Sequence, residues 1–503
     1  MGATTDPIVL SIDIGTSSIR SQLYDAAGRA VDHAGGRIKY AMSNTDDGGA
    51  FIDLNELCEM VYKVIDAAVN DAQRQGISIA AVACCTFWHS LAGIDHNNAP
   101  CTPLINWNDT RPEIVLDDLH KRLDADACTN RSGCPMHASY PLAKITWMHQ
   151  TMPDIARKVR YWMSAGEYLM YKITGRRACS YSMASATGLL DSANLVWDQA
   201  TLDQIPAELE NLSPLCDAGD GVQNLTPQFA QRWPSLQKAI WYPALGDGAC
   251  SNIGCGGNVA ERMAVMIGTS GAMRIVWRGE YRQPPAGLWC YRIDSQRPIQ
   301  GGALSNGGNL FGWMKDTIDF STQGIAKDNT DGMRELDRLL QEAKPDGHGL
   351  TFLPFLAGQR SPRWNPHSTG SIHGLRLSTK PVDIVQAGLE AVAYRFKMIH
   401  ELLSNVVSED HSIIATGGGL LQSSAWVQIL ADVLGRTVYT STITEASCRG
   451  AALMALESLG VINDVAEADA GLGDKVIPDM DAHLIYQSAM QRHIDFEKRL
   501  RND

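Results

Sequence analysis

The chain has 503 residues, which is enough for two to four domains of ordinary size. Apolar residues make up 45% and charged residues 20% of it, which is typical of a folded globular protein and not of a disordered one. The net charge of −13, without lysine or arginine clusters, disfavours nucleic acid and anionic membranes as partners, so an anionic ligand would need backbone N–H groups, helix ends or a metal ion.

The 12 cysteines are expected to be reduced thiols. The opening residues MGATTDP are short and polar and do not resemble a secretory leader, so we expect a cytoplasmic protein whose cysteines are mostly small core residues. Cys250 and Cys255 lack a second ligand pair, which disfavours a zinc site. No window approaches 18 consecutive apolar residues, so no membrane span is predicted.

The chain opens with a predicted antiparallel pair of strands. Residues 8–18 form an apolar run that ends in a polar turn, and residues 18–24 alternate as a second strand. A helix is predicted from a capping box at residues 53–56 to Gly76, and a buried strand over residues 77–86.

The second half repeats this opening. Two segments about half a chain apart share one sequence motif: Ile-Asp-Ile-Gly-Thr-Ser-Ser (residues 12–18) and Val-Met-Ile-Gly-Thr-Ser-Gly (residues 265–271). A long helix is predicted over residues 381–403, and a strand over 412–416 that leads into Gly417–Gly419 and a further helix ending at Gly435. We therefore predict a duplicated domain, with two α/β lobes hinged near residue 248. No clear pattern is visible after about residue 462.

Three of these turns favour a nucleotide site. Asp13 ends a strand, and the turn after it, with Thr16 and Ser17, exposes donors suited to an anion; a carboxylate beside a phosphate implies Mg²⁺ between them. The alternative is a buried Asp that accepts turn amides. The segments that begin at Gly268–Thr269 and Gly417–Gly418 add two more turns. Together the three predict a nucleotide cleft between lobes.

Other phosphate-binding motifs are missing from the sequence. There is no GxxxxGK[ST] loop, no HRD and DFG pair, and no GxGxxG between a strand and a helix. P-loop proteins, protein kinases and dinucleotide enzymes are therefore disfavoured.

Asp247 stands between two glycines at the predicted lobe junction. Phosphoryl transfer to a hydroxyl uses a base within hydrogen-bond reach, and Asp247 is our candidate for it. The alternative is an ordinary turn aspartate. A sugar site also needs polar groups and an aromatic wall, for which the candidates are Trp88 with His89, the segment 107–111 with Asp109 and Arg111, and His137; each could equally be a packing residue.

Taken together, these stretches resemble the FGGY carbohydrate kinases over most of the chain. The gluconate kinase branch looks most similar and xylulokinases second. The motifs that carry the resemblance are Asp13-Ile14-Gly15-Thr16, Trp88-His89-Ser90-Leu91, Cys134-Pro135-Met136-His137, Tyr181-Ser182-Met183-Ala184-Ser185-Ala186-Thr187-Gly188, the run from Leu353 to Pro362, and Glu445-Ala446-Ser447-Cys448-Arg449-Gly450-Ala451; Trp107-Asn108-Asp109 looks more like xylulokinases.

The resemblance implies two ribonuclease H-like lobes of the actin-like ATPase kind with a cleft between them. Residues 1–248 would form the sugar-binding lobe and residues 249–503 the nucleotide-binding lobe. The implied reaction is Mg²⁺- and ATP-dependent phosphorylation of D-gluconate to 6-phosphogluconate. Xylulose or another pentulose remains an alternative acceptor, and a non-catalytic sugar or nucleotide sensor an alternative function. A homodimer is compatible with the sequence.

The resemblance also assigns residues. Asp247 is implied as the base, and Asp13 and Asp247 as the carboxylates of the magnesium–phosphate region. The ATP phosphates would be lined by Thr16, Ser17, Gly268, Thr269, Gly417 and Gly418, and the sugar by His89, Asp109, His137 and Asp247.

Arg111 is our hypothesis for pairing a substrate carboxylate, because a guanidinium fork suits one. Two places depart from the family pattern: Gln359 stands where glutamate is usual, and Leu420-Leu421-Gln422 where many members carry a basic residue.

Overall fold

The computed structural model describes residues 7–321, 325 and 330–501. Residues 1–6, which belong to the segment on which the absence of a leader was predicted, lie outside this range. The strands of the first half are β1 (Ile8–Ile14), β2 (Ser18–Tyr24), β3 (Ala30–Lys39), β4 (Ser43–Asn44), β5 (Ala50–Ile52), β6 (Ile79–Thr86), β7 (Ala92–Ile94), β8 (Leu104–Ile105), β9 (Tyr161–Met163), β10 (Cys179–Ser180), β11 (Leu190–Asp191), β12 (Val196–Trp197), β13 (Leu215–Cys216), β14 (Ile240–Trp241) and β15 (Leu245–Gly246).

The strands of the second half are β16 (Arg262–Ile267), β17 (Gly271–Val276), β18 (Trp289–Arg292), β19 (Pro298–Leu304), β20 (Thr351–Leu353), β21 (Ser371–His373), β22 (Ser412–Thr416), β23 (Val438–Ser441) and β24 (Leu472–Val476). The helices are α1 (Leu54–Arg74), α2 (Leu116–Arg122), α3 (Ala125–Ser132), α4 (Pro141–Thr151), α5 (Pro153–Ala156), α6 (Ala165–Thr174), α7 (Tyr181–Ala184), α8 (Gln199–Leu202), α9 (Pro227–Arg232), α10 (Asp247–Gly254), α11 (Gly308–Thr317), α12 (Thr330–Glu342), α13 (Pro381–Leu402), α14 (Gly418–Leu421), α15 (Ser424–Leu434), α16 (Ala446–Ser458) and α17 (Met480–Arg501).

Two large sheets organise the molecule, and they repeat one topology. The first has the order β14-β6-β1-β2-β3, with β1, β2 and β3 antiparallel and β6 parallel to β1. The second has the order β18-β19-β17-β16-β22-β23-β24, with β16, β17 and β19 antiparallel and β22 parallel to β16. The predicted duplication is therefore confirmed: β16, β17, β19 and β22 repeat β1, β2, β3 and β6.

Each sheet has its own helical cover. The helix α1 packs its apolar stripe on the first sheet, and its first turn is capped by Asp53, whose side chain accepts the Glu56 N–H at 2.9 Å. The helices α13 and α15 form most of the cover of the second sheet. Both α1 and α13 lie where the sequence predicts helices.

A pair of helices joins the two halves. The helix α10 crosses α16, and α16 packs on β1 and β6 of the first sheet although it comes from the second half of the chain. Ser11 on β1 donates its hydroxyl to the carbonyl of Cys448 on α16 at 2.7 Å. Residue 248, the predicted hinge, lies inside α10, so the division into lobes at 248 and 249 stays a prediction.

The 12 cysteines are all free thiols, and all except Cys101 are buried. Among the described helices, none is long and apolar enough to cross a membrane.

Candidate active site

A cleft of about 710 Å³ lies between the two sheets. The turn from β1 to β2, the matching turn from β16 to β17 and the first residue of α10 all open into it. Eight predicted site residues line this cleft together: Thr16, Ser17, His89, Asp109, His137, Asp247, Gly268 and Thr269. Four others, Asp13, Arg111, Gly417 and Gly418, do not line it.

Asp13 is buried at the end of β1, with 5% of its surface exposed. Its carboxylate accepts the Cys85 thiol at 3.5 Å and the Arg20 guanidinium at 3.4 Å. Burial and the negative charge of Asp247 raise the pKa of Asp13 to about 7. The two carboxyl groups are thus close enough to repel each other, with Arg20 as partial compensation.

Asp247 begins α10, and one of its carboxylate oxygens accepts the Gly248 N–H at 2.7 Å. Burial raises its pKa, while the charge of Arg274 opposes the rise. The glycines on either side are dictated by packing, since a Cβ at Gly246 or at Gly248 would run into the ring of Trp88. The two glycines that flank Asp247 in the sequence therefore make room for this indole.

The turn after β16 is held by backbone hydrogen bonds. The N–H of Gly268 donates to Ser270 at 3.0 Å, and the carbonyls of Gly268 and Thr269 accept the N–H groups of Gly308 and Asn309 at 2.8 and 2.9 Å. The start of α11 therefore lies directly against this turn. Sequence reasoning missed α11 as part of the site, although Gly307-Gly308 was a visible signal for close backbone approach.

Gly417 and Gly418 lie behind the same turn. Gly417 has a φ of +92°, and a Cβ there would meet the backbone of Ile267 at 2.5 to 2.9 Å. A Cβ at Gly419 would lie 2.9 Å from the Ile267 carbonyl oxygen and 3.1 Å from that of Gly268. These glycines therefore allow α14 to pack against the end of β16, and their contact with a nucleotide stays a prediction.

Two neutral histidines face the other end of the cleft. The Nδ1 of His89 lies 2.7 Å from the Ala186 carbonyl, which can only accept, so Nδ1 carries the proton and Nε2 is an acceptor. The Nδ1 of His137 accepts the Ser139 N–H at 3.2 Å, so Nε2 carries its proton. Burial lowers the pKa of His89 to about 3 and that of His137 to about 4. The site thus offers one ring acceptor and one ring donor.

Lys144 is buried next to the histidine end of the cleft and bonds to the backbone there. Its ammonium donates to the carbonyls of His89 at 2.5 Å and Asn106 at 2.7 Å, and burial lowers its pKa to about 7. The buried ammonium ties together two of the segments that carry sugar-site candidates.

The structure corrects the placement of Arg111. Its Nε and Nη2 donate to the two carboxylate oxygens of Asp109 at 3.0 and 2.6 Å, and its guanidinium lies 4.8 Å from the centre of the Trp147 ring. A fork that is bound to a carboxylate of its own chain is not free for a substrate, and Arg111 does not line the cleft. The Asp109 oxygens also accept the N–H groups of Ala50 and Arg111, which leaves this carboxylate well satisfied.

Two arginines that sequence reasoning gave no role do line the cleft. Arg274 lies on β17, and Arg360 follows the strand β20. Arg360 stands in the quoted run 353–362, but nothing in that run distinguishes a buried arginine from an exposed one.

Models of known families match both halves of the chain. The model for "FGGY family of carbohydrate kinases, N-terminal domain" matches residues 8–254, and that for the C-terminal domain of the same family matches residues 263–459. Among curated proteins, the gluconokinase of Bacillus subtilis is 28% identical over 98% of this chain and 96% of its own length. A xylulose kinase of Staphylococcus epidermidis is 26% identical over 95% and 94%.

Solved structures agree on the fold. A gluconate kinase from Lactobacillus acidophilus matches with a TM-score of 0.89 at 24% identity, covering 98% of both chains. A ligand-bound xylulose kinase from the same organism matches with a TM-score of 0.90 at 24% identity and the same coverage. The predicted two-lobed, actin-like α/β fold is confirmed.

Proposed function

The chain belongs to the FGGY family of carbohydrate kinases, and we propose that it transfers the terminal phosphoryl group of ATP to the terminal hydroxyl of D-gluconate. The observation that carries this proposal is the place of Asp247, in one cleft with the donor turns on one side and His89 and His137 on the other. The similarity to gluconokinases along the whole chain supports gluconate as the acceptor.

In this proposal Asp247 is the base. The hydroxyl proton moves to its carboxylate as the hydroxyl oxygen bonds to the γ-phosphorus, and the bond from that phosphorus to the bridging oxygen of ADP breaks. Burial favours this role because a carboxylate with a raised pKa is a stronger base. His89 would accept and His137 would donate a hydrogen bond to sugar hydroxyls, which orients the acceptor.

The residues around Asp13 fit a magnesium ion. Asp13 and Asp247 offer hard oxygen ligands, and their mutual repulsion, seen in the raised pKa of Asp13, is what a divalent cation would relieve. Asp13 and Asp247 would hold the ion, which supplies charge neutralisation for the ATP phosphates when bound. The turns at Thr16–Ser17 and Gly268–Ser270 would add donors to those phosphates.

Xylulose is the second candidate acceptor, because xylulose kinases match nearly the whole chain at 26% identity. A sensor that binds sugar without turnover would not need a base at Asp247. The presence of this aspartate therefore favours an enzyme over a sensor. An assay of ADP release decides among the three, with D-gluconate, D-xylulose or no sugar, each with and without Mg²⁺. We expect gluconate to give the highest kcat/KM. Turnover with xylulose alone, or none with any sugar of a wider panel, would contradict the proposal.

A further inference from the structure

Two arginines in the cleft lack a hydrogen-bonded acidic partner among the described residues. Among the described residues, Arg274 and Arg360 are the two lysine or arginine side chains that line the cleft. Neither forms an ion pair with a described carboxylate, and the Nε of each is buried without a hydrogen-bond partner. Arg360 donates to the Leu304 carbonyl at 3.0 Å and stacks over Trp107 at 5.0 Å, which leaves most of its donors free.

Both arginines also border a recess of about 80 Å³ that opens from the cleft. By the same measure a cavity needs roughly 10–15 Å³ to hold one water, so the recess has room for a small group such as a carboxylate. Its other walls are mainly aromatic: Trp88, His89, Tyr140, Trp289, Tyr291 and Trp364. Such walls exclude water and strengthen an ionic contact inside.

The charges around the recess leave a positive excess. Burial, together with the charge of Arg274, lowers the pKa of Arg360 to about 10. His89 and His137 are neutral and so contribute no charge. Asp247 lies near Arg274, but it is also the proposed base and metal ligand. Arg274 and Arg360 are both partly exposed, and the buried Nε of each lacks a hydrogen-bond partner. An anionic ligand would give Arg360 the negative partner that it lacks, and would give Arg274 a second one besides Asp247.

We propose that Arg274 and Arg360 bind the carboxylate of a sugar acid in this recess, so that the cleft selects aldonates over neutral sugars. The inference rests on the proposed function and takes the place of the Arg111 hypothesis. Arg274 lies against Gly248, the neighbour of Asp247, since a Cβ at Gly248 would come within 3.1 Å of its Nη2. The recess also shares Trp88 and His89 with the cleft, so it adjoins the proposed sugar contact His89.

A matched pair of ligands tests this proposal. D-gluconate and D-glucitol differ at one end, where the alcohol carries a CH₂OH in place of the carboxylate. We expect wild type to prefer gluconate. Arg360→Gln and Arg274→Gln should each raise the KM for gluconate by about 10- to 100-fold, because each removes hydrogen bonds to a charged group. The KM for ATP should stay within about twofold, and Arg360→Lys should restore part of the loss.

Arg338→Gln is the control, since Arg338 is half-exposed on α12 and pairs with Glu335 and Glu342. The proposal would be overturned if the ratio of kcat/KM for gluconate to kcat/KM for glucitol were the same in wild type and in both cleft variants. A rise in the KM for ATP with no change for gluconate would overturn it as well, because it would assign the arginines to the nucleotide.

Calorimetric titration with gluconate in the absence of ATP separates this inference from the proposed reaction. Binding to wild type that is lost in Arg360→Gln supports the carboxylate site even if no phosphorylated product forms. If wild type phosphorylates gluconate but wild type and Arg360→Gln bind it with equal dissociation constants, the inference is refuted and the proposed reaction is not. Absence of gluconate binding to wild type would also refute the inference.

Discussion

Trp88 fixes the position of Asp247. Its indole N–H donates to the Ser182 carbonyl at 2.9 Å, and the Ser182 hydroxyl accepts the Gly246 N–H at 3.0 Å. The ring fills the space that side chains at Gly246 and Gly248 would need. The carboxylate is therefore placed at the helix start by its neighbours, with little freedom of its own.

Asp247→Asn should leave the fold intact and remove most of the turnover. The amide keeps the size of the side chain but cannot accept the hydroxyl proton, so we expect kcat to fall by about 10²- to 10⁴-fold. Steady-state kinetics with ATP and gluconate, beside a melting curve, measures this. Asp154→Asn is the control, because that carboxylate is 88% exposed. If Asp247→Asn keeps more than about a tenth of kcat, Asp247 is not the base.

The sequence could predict the part of the site that short motifs encode. Thr16, Ser17, Gly268 and Thr269 follow strands directly, so a local pattern is enough to place them. Arg274 and Arg360 could not be found in this way, because what distinguishes them is a buried Nε without a partner, and its burial depends on contacts made across the whole fold. Arg111 was misplaced for the same reason, since its partner Asp109 competes with any ligand.

A pair of histidines joins α13 to the start of β22. The Nδ1 of His411 lies 2.6 Å from the Ser408 carbonyl and so carries a proton, which leaves its Nε2 to accept the Nε2–H of His400 at 2.8 Å. Protonation of His411 would put a second hydrogen between the two Nε2 atoms. Protonation of His400 would put a hydrogen on its Nδ1, which is buried without a partner. The pair is thus stable only when both rings are neutral.

Acid should therefore loosen this junction. Burial and the charges of His411, Lys397 and Arg436 lower the pKa of His400 to about 3, and burial also lowers the pKa of His411. The unfolded chain then binds more protons than the folded one below about pH 6.5, so the free energy of unfolding falls as the pH falls. One pH unit below that value we expect His400 to account for a loss of about 1 kcal/mol in the free energy of unfolding.

Urea unfolding of wild type and His400→Gln at pH 7.5 and 5.5 measures this. The glutamine amide can still donate to His411 but cannot ionise, so the loss on acidification should shrink. His120→Gln, on the exposed side of α2, should behave like wild type. Equal losses in wild type and His400→Gln would show that the pair does not cause the acid sensitivity.

The elements themselves differ in how far the sequence predicted them. The hairpins β1–β2 and β16–β17 follow from alternation and turn residues, and α13 from a continuous apolar stripe. The tail after residue 462 showed no pattern, yet it forms β24 and α17. β24 pairs with β23, and α17 packs on α15 and β20, so long-range contacts that local periodicity does not record determine both elements.

At the scale of the whole molecule, two helices bring the duplicated halves together. The helix α10 carries Asp247 at its start, and α16 packs on β1, the strand that ends at Asp13. The helices approach so closely because Gly254 faces the backbone of Ala446, and Gly450 faces that of Cys250. The distance between the two carboxylates therefore depends on this crossing.

Gly450→Ala should disturb the crossing and the site together. A Cβ there would come within 2.6 and 2.8 Å of the carbonyl carbon and Cα of Cys250, and rigid backbone cannot yield as a flexible side chain can. We expect a loss of about 1–3 kcal/mol in the free energy of unfolding. We also expect kcat to fall in the molecules that remain folded, because separating α10 from α16 moves Asp247 away from Asp13.

Gly312→Ala on α11 is the matched control. No atom outside its own helix and its chain neighbours lies within 4 Å of the added Cβ, so the change should stabilise the helix by about 0.5–1 kcal/mol. Urea unfolding of both variants gives the change in the free energy of unfolding. The kcat measured at urea concentrations well below the unfolding transition gives the effect on the site. A Gly450→Ala enzyme that is destabilised but keeps full kcat would show that the crossing holds the halves together without setting the position of Asp247.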